Sequence, residues 1–353
     1  MVKEVKGSEM FKKSDIKKSR DAAITLELHL DSDDAVLTVI SRESGLFSVT
    51  KRKIIRVRSP DDIDPSLEHD SVPWEQSLFL PHGASDPLVA RTIIQTERLT
   101  EMFFAKTTSE YRALSDVSWE IMSSLVSLRF IKDRLEKQIN KLIPLIEQDM
   151  DAYTKGQSPK PLPIVEYYDI EFRSFANEVR RALNTISELF PILAEKHFTG
   201  GKFDKAQKWA EEDRGKDSLL AQMLKGDQRW IKAWIDIRIA IEHPEKDRFV
   251  ETMNFSLEAD RGIRLPTWRF IHPEHDMARP QNLLVVFGTC IENLLKFYED
   301  LQIALIDGHL PSTFKFFCDV IEEKERDPKL PLRYRFYPAN TCPPTRRAGN
   351  NAP

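Results

Sequence analysis

Hydrophobic residues recur at intervals of three and four through Val117, Ile121, Leu125, Leu128, Ile131, Leu135, Ile139, Leu142 and Ile146, the stripe of an amphipathic helix many turns long. Pro144 falls near its end and is expected to kink it. Such a stripe suits a seam between chains, but packing on its own bundle is the simpler expectation. The same spacing through Phe172, Phe175, Val179, Leu183, Ile186, Leu189 and Leu193 predicts one helix over Tyr168–Phe198. A third run, Leu284, Phe287, Ile291, Leu294, Tyr298, Leu301 and Leu305, predicts another over Gln281–Asp307. Between them, Ala206–Lys225 reads as a helix polar on one face. Asp227–Pro244 reads as a further helix, with Asp227 as its N-cap and Pro244 as its stop.

The period changes to two elsewhere. Ile24, Leu26, Leu28 and Leu30 alternate with polar residues, and Asp31–Asp34 supplies turn chemistry. Ala35–Ile40, Leu46–Thr50 and Lys53–Val57 read as further strands. Ser59–Pro87, with five prolines and a cluster of acids, reads as a connector. Phe249–Leu257 and Gly262–Ile271 read as a β-hairpin about an Asp260-Arg-Gly262 turn, placed to cap the bundle or to flap over a site. Gly156–Pro163 is a break; Pro311-Ser-Thr starts a short helix through Ile321; Leu330–Pro353 reads as a loosely held tail.

These elements predict an α+β chain that is mainly α, a helical bundle with an inserted β-hairpin and a small N-terminal β-rich segment. The expected division is a basic mobile arm at 1–20, a β-rich segment and connector at 21–90, the bundle at 91–310, and a short helix and Pro/Arg-rich tail at 311–353. A formal net charge of -4 argues against a general nucleic-acid coat, though not against a cleft with local arginines. Cys290, Cys318 and Cys342 are odd in number and far apart, so neither a disulfide framework nor a metal knuckle is expected. Met1–Arg20 has no apolar core to serve as a secretory leader, and Leu283–Ile291, the longest apolar run, is too short to span a bilayer. The expected setting is the cytoplasm, with no membrane partner.

Candidate chemistry concentrates at the end of the Asp227–Pro244 helix. Arg238 is expected on an apolar stripe with Ile231, Trp234, Ile235 and Ile241, where a guanidinium needs a carboxylate or an anionic ligand. His243 lies five positions on and can turn back toward it only where the helix ends. Arg238-Ile-Ala-Ile-Glu-His243 resembles the Arg-x(4–6)-His signature of HEPN (higher eukaryotes and prokaryotes nucleotide-binding) domains, with Ile239 where that family usually has a polar residue. Arg269 and His275 also fit the spacing.

The resemblance spans roughly residues 168–310 and implies a helical bundle that binds RNA or nucleotide. It further implies a metal-independent endoribonuclease that acts as a homodimer; a regulatory partner protein is a separate expectation, and the sequence is silent on which partner would hold the activity in check. Arg238 would hold the scissile phosphate, and His243 would be the acid/base for attack by the ribose 2′-hydroxyl. The competing reading is a non-catalytic scaffold, with Arg238 paired to Glu242 or Glu178 and His243 satisfying helix-end carbonyls. A third reading is a metal-dependent hydrolase using His272, His275 and Asp276, which would need a further ligand from elsewhere. Asp61, Asp62, Asp64, Glu68 and Asp70 match no calcium loop, and Thr199–Lys202 lacks the spacing of a phosphate loop. With no dinucleotide fingerprint and no serine or cysteine nucleophile constellation, no cofactor is expected.

Overall fold

The computed structural model describes residues 28, 30–42, 44–63, 74–154, 161–198, 200–257, 262–309 and 316–338. Most of the Ile24–Leu30 alternation, the 1–20 arm, the Asp260-Arg261 turn residues and Cys342 lie outside them. The described chain is α+β and mainly α. Strands β1 (Val36–Arg42), β2 (Gly45–Thr50), β3 (Ile54–Arg58) and β4 (Glu75–Leu80) form an antiparallel sheet in sequential order. A helical region, α1, covers residues 87–100: α-helical at Pro87–Val89, π-helical at Ala90–Ile94, α-helical again at Gln95–Thr100. It is followed by α2 (Ser109–Thr154), α3 (Tyr168–Ser187), α4 (Leu189–Ala194), α5 (Phe203–Arg214) and α6 (Leu219–Glu242). Then come β5 (Phe249–Met253), β6 (Ser256–Leu257), β7 (Ile263–Arg264), β8 (Thr267–Ile271), β9 (Gln281–Asn282) and α7 (Leu283–His309), closed by β10 (Phe316–Val320) and β11 (Tyr334–Pro338).

Helix α2 runs for 46 residues, a rod about 70 Å long, and buries its stripe from Val117 to Ile139 and again at Ile146. Pro144 lies within this helix rather than at its end. Two apolar cores meet on it. Trp119 and Met122 join Phe47, Val49, Ile54, Ile93 and Ile94 under the sheet, while Leu125, Leu128, Leu135 and Ile139 join the bundle. Phe47 packs its ring 4.5 Å from that of Trp119, tying the inward face of β2 to α2. The hairpin pairs Phe249 with Ile271 through Met253 with Thr267, as its alternation required. Its inward Trp268 and Phe270 are fully buried in the bundle core.

Several expectations need correction. The Ser59–Pro87 connector contains β4, whose Glu75–Leu80 pairs with Ile54–Arg58. Tyr168–Phe198 is two helices, since Pro191 supplies no N–H and the chain breaks at Glu188. No helix runs to Ile321: Phe316–Val320 is a strand paired with Tyr334–Pro338. Residues 330–338 of the stretch read as a loose tail are therefore held, through a buried ion network, and the remainder lies outside the described residues. Arg91 donates from Nε and Nη2 to both carboxylate oxygens of Glu299, at 3.0 and 2.6 Å. Arg333 reaches Glu299 at 3.1 Å and Asp300 at 3.0 Å, while the Gln95 amide oxygen accepts the backbone N–H groups of Arg333 and Tyr334. Burial opposes the charge on Arg91, but Glu299 and Glu292 outweigh it and hold the proton more tightly than usual.

Candidate functional site

Helix α6 carries the chemistry and differs from expectation at its start. Ser218 is the N-cap, accepting from Ala221 N–H, and Asp227 lies inside the helix with Oδ1 taking the Trp230 indole N–H at 2.7 Å. Lys225 belongs to the same helix, because α5 stops at Arg214 and Gly215 follows at φ 89°. Gly226 does not break α6; its cost of about 1 kcal/mol is small beside the burial of Leu220, Leu224, Ile231, Trp234 and Ile237. The end falls where Pro244 required, with His243 as C-cap and its N–H bonded to Ile239 O at 2.8 Å.

Arg238 is not buried on the oily face. Its side chain is 37% exposed and pairs with Glu242 at 2.7 Å, one turn on. His243 is exposed, and among the described residues no hydrogen bond or ion pair joins it to Arg238. Glu178 engages Arg181 instead. What the sequence did not disclose is Arg180. It comes from α3 and donates from Nη2 to the Gly200 carbonyl, while its buried Nη1 has no hydrogen-bond partner. Burial, then the nearby Arg238 guanidinium, push its proton affinity below the ordinary value. The turn beside it needs glycine: Gly201 has φ 62°, and a Cβ there would fall 3.3 Å from Arg180 Nη1. Guanidiniums from α3 and α6 thus lie within electrostatic reach of one another, that of Arg180 resting against the Gly200-Gly201 turn.

Asp236 projects on the opposite side of α6. Its Oδ2 lies 2.8 Å from His275 Nε2. His272 completes a group whose candidate ligand atoms all lie within 4.8 Å of one another. Asp276, the carboxylate expected from sequence, is not a member. The positions follow from packing: Trp234 on α6 lies 6.3 Å from Trp268 on β8, and the Phe175 and Phe287 rings stack beside them with centroids 3.5 Å apart. That aromatic layer fixes α6 against the strand whose end carries both histidines. Phe270 supports them, with ring centroids 5.2 and 5.5 Å away. Burial, then the neighbouring His275, lower the proton affinity of His272. His275 also lines a cleft of about 570 Å³ with Trp230, Trp234, Met277 and Gln281. Arg269, the other arginine with fitting spacing, is paired with Glu251 at 2.5 Å.

A separate cavity of about 970 Å³ opens between β1, α1 and the start of α2, lined by Arg42, Glu97, Lys106 and Tyr111 among others. Burial raises the Glu97 carboxyl above its usual range, against the hydrogen bond from Thr38. No family model, curated protein or solved structure was found to match the chain.

Proposed function

We propose that this chain is a HEPN-like RNA- or nucleotide-binding protein that grips phosphate between Arg180 and Arg238. The observation that carries the reading is the Arg180 guanidinium, which keeps a buried N–H without an acceptor and lies within electrostatic reach of Arg238. Like charges held together favour an anion, and the guanidinium fork matches phosphate oxygens. Because Arg238 shares its charge with Glu242, binding exchanges that pair for the ligand. In the catalytic form His243 takes the proton of a ribose 2′-hydroxyl as the oxygen attacks phosphorus. The 5′-oxygen leaves and is reprotonated, giving a cyclic phosphate and a free 5′-hydroxyl, with no metal. The exposed ends of two copies would supply one cleft, so a homodimer is part of the proposal, as is a partner protein that covers the cleft. Among the described residues no helix is long and apolar enough to cross a membrane, which is compatible with the cytoplasmic setting we assign.

The test titrates labelled single-stranded RNA by fluorescence anisotropy across salt, then follows cleavage in excess chelator. Arg180→Ala and Arg238→Ala should each weaken binding and lower the log–log salt slope by about 1. Cleavage should vanish in Arg238→Ala and His243→Ala. Wild-type protein that shows no salt-dependent RNA or nucleotide binding overturns the reading. The Arg238–Glu242 pair and the exposed His243 are what a scaffold protein would also present. That second reading takes over if neither arginine affects any nucleic-acid or nucleotide binding.

A further inference from the structure

We propose that Asp236, His272 and His275 form a site for a divalent transition-metal cation of the Zn2+ class, open toward the cleft between α6 and α7. The donors are one carboxylate and two imidazoles, a set that selects zinc and its neighbours over magnesium or calcium. They come from two elements, a helix and the turn after β8, and their ligand atoms already lie within 4.8 Å of one another. Tetrahedral coordination at metal–ligand distances of about 2.0–2.1 Å sets ligand atoms roughly 3.3 Å apart, so a pair at the 4.8 Å limit closes by about 1.5 Å and the 2.8 Å Asp236–His275 pair opens by about 0.5 Å. A simple carboxylate–imidazole hydrogen bond accounts for Asp236 and His275, which are 2.8 Å apart. It gives no reason for the second imidazole to converge on the same point.

The surroundings are those of an ion-holding site. The His275 side chain is 7% exposed and that of Asp236 is 19% exposed, so water competes weakly for either. The backbone turn is fixed by His275 N–H bonding to His272 O at 3.3 Å, which presents both rings on one side. The Glu274 N–H donates to His272 Nδ1 at 3.1 Å. Metal bonding through either ring nitrogen requires that contact to be given up, so loading rearranges the 272–275 turn. Lys232 lies 4.0 Å from Asp236 Oδ2, but it is half exposed and bound to Glu274.

Three protein ligands leave the remaining position to water or a ligand, the arrangement of sites that use their metal chemically. Of the three ligands His275 also lines the cleft that holds Trp230 and Trp234, and the proposal sets the open position on that side. The ligand class that fits is an oxygen donor carrying an apolar body.

Full-length protein stripped by chelator and titrated with ZnCl2 by calorimetry should bind one ion per chain. His272→Ala, His275→Ala and Asp236→Asn should each weaken binding more than about tenfold, the lower end of what even a supporting-residue change costs. Asp276→Ala should leave it unchanged, and MgCl2 should show no comparable uptake. Co2+ should give the intense visible absorption of tetrahedral coordination in wild type and lose it in the three variants. If either core-facing variant fails to fold by circular dichroism, His272→Ala, at the more exposed ring, decides alone. Absence of Zn2+ uptake, or equal uptake by wild type and His272→Ala, overturns the proposal. Neither result touches the RNA reading, whose residues lie across the helix and whose assay is run in chelator.

Discussion

Replacing Glu299 by glutamine removes the charge on which three side chains converge. The carboxylate has 0% side-chain exposure. It accepts two bonds from Arg91, one from Gln95 Nε2 at 2.7 Å and one from Arg333 at 3.1 Å. Breaking a buried pair from one side costs about 3–5 kcal/mol, because the opposite charge stays buried. The isostere keeps the volume and one acceptor, and Glu292 and Asp300 still face the two arginines, so the loss expected is near the lower end, about 3 kcal/mol. That is a large share of a typical total of about 5–15 kcal/mol. Glu292→Gln is the control: its side chain is 43% exposed, and screened pairs are worth about 0–1 kcal/mol. Urea unfolding followed by far-UV circular dichroism measures both, with an unchanged slope expected. A Glu299→Gln loss below about 1 kcal/mol, or no larger than that of Glu292→Gln, refutes the network as the link between α1, α7 and β11.

Other consequences are open to measurement. Glu97 binds its proton more tightly when folded, so stability falls as pH rises from its ordinary value of 4.5 through the folded value. Glu97→Gln should abolish that slope, giving a chain more stable than the parent near neutrality and not in acid, as read from melting curves across pH. Gly83→Ala would set a Cβ 2.4 Å from Thr50 O and 2.5 Å from Lys53 N. Neither backbone atom can swing away, and a loss of at least about 1–3 kcal/mol is expected in chemical denaturation. Ser218→Ala removes the α6 N-cap and should cost about 1 kcal/mol, against a few tenths for Ser218→Gly.

How far the sequence reaches depends on the range of each interaction. The stripe of α2 and the hairpin alternation are local periodicities, and both appear in the fold as read. The start of α6 differs from the sequence expectation because Gly226-Asp227 carries a boundary signature that buried contacts on either side override. β10 looked like a helix start because Pro311-Ser-Thr is local punctuation, whereas Cys318 pairs with Phe336 across a long connection. Sites suffer most. Asp236 and His275 are 39 positions apart, and the nearer Asp276 drew the carboxylate role in its place. Arg180 gave no signal at all, since its interest arises only when α3 packs beside the end of α6 and beside a glycine turn.

Arg91 meets Glu299 across 208 residues of chain and meets the Arg333 end of the network later still. On the ribosome, at about 5–20 residues per second, that separation is roughly 10–40 seconds of synthesis. Through nearly all of that interval the nascent chain carries a cation destined for the interior whose native carboxylate partners, Glu292 and Glu299, are not yet made. The sheet and α1 can begin to collapse, but Ala90–Ile94 cannot settle into its final burial until α7 emerges. Completion of this protein therefore waits on its last segments, and a chain stalled before α7 should present α1 to chaperones and proteases.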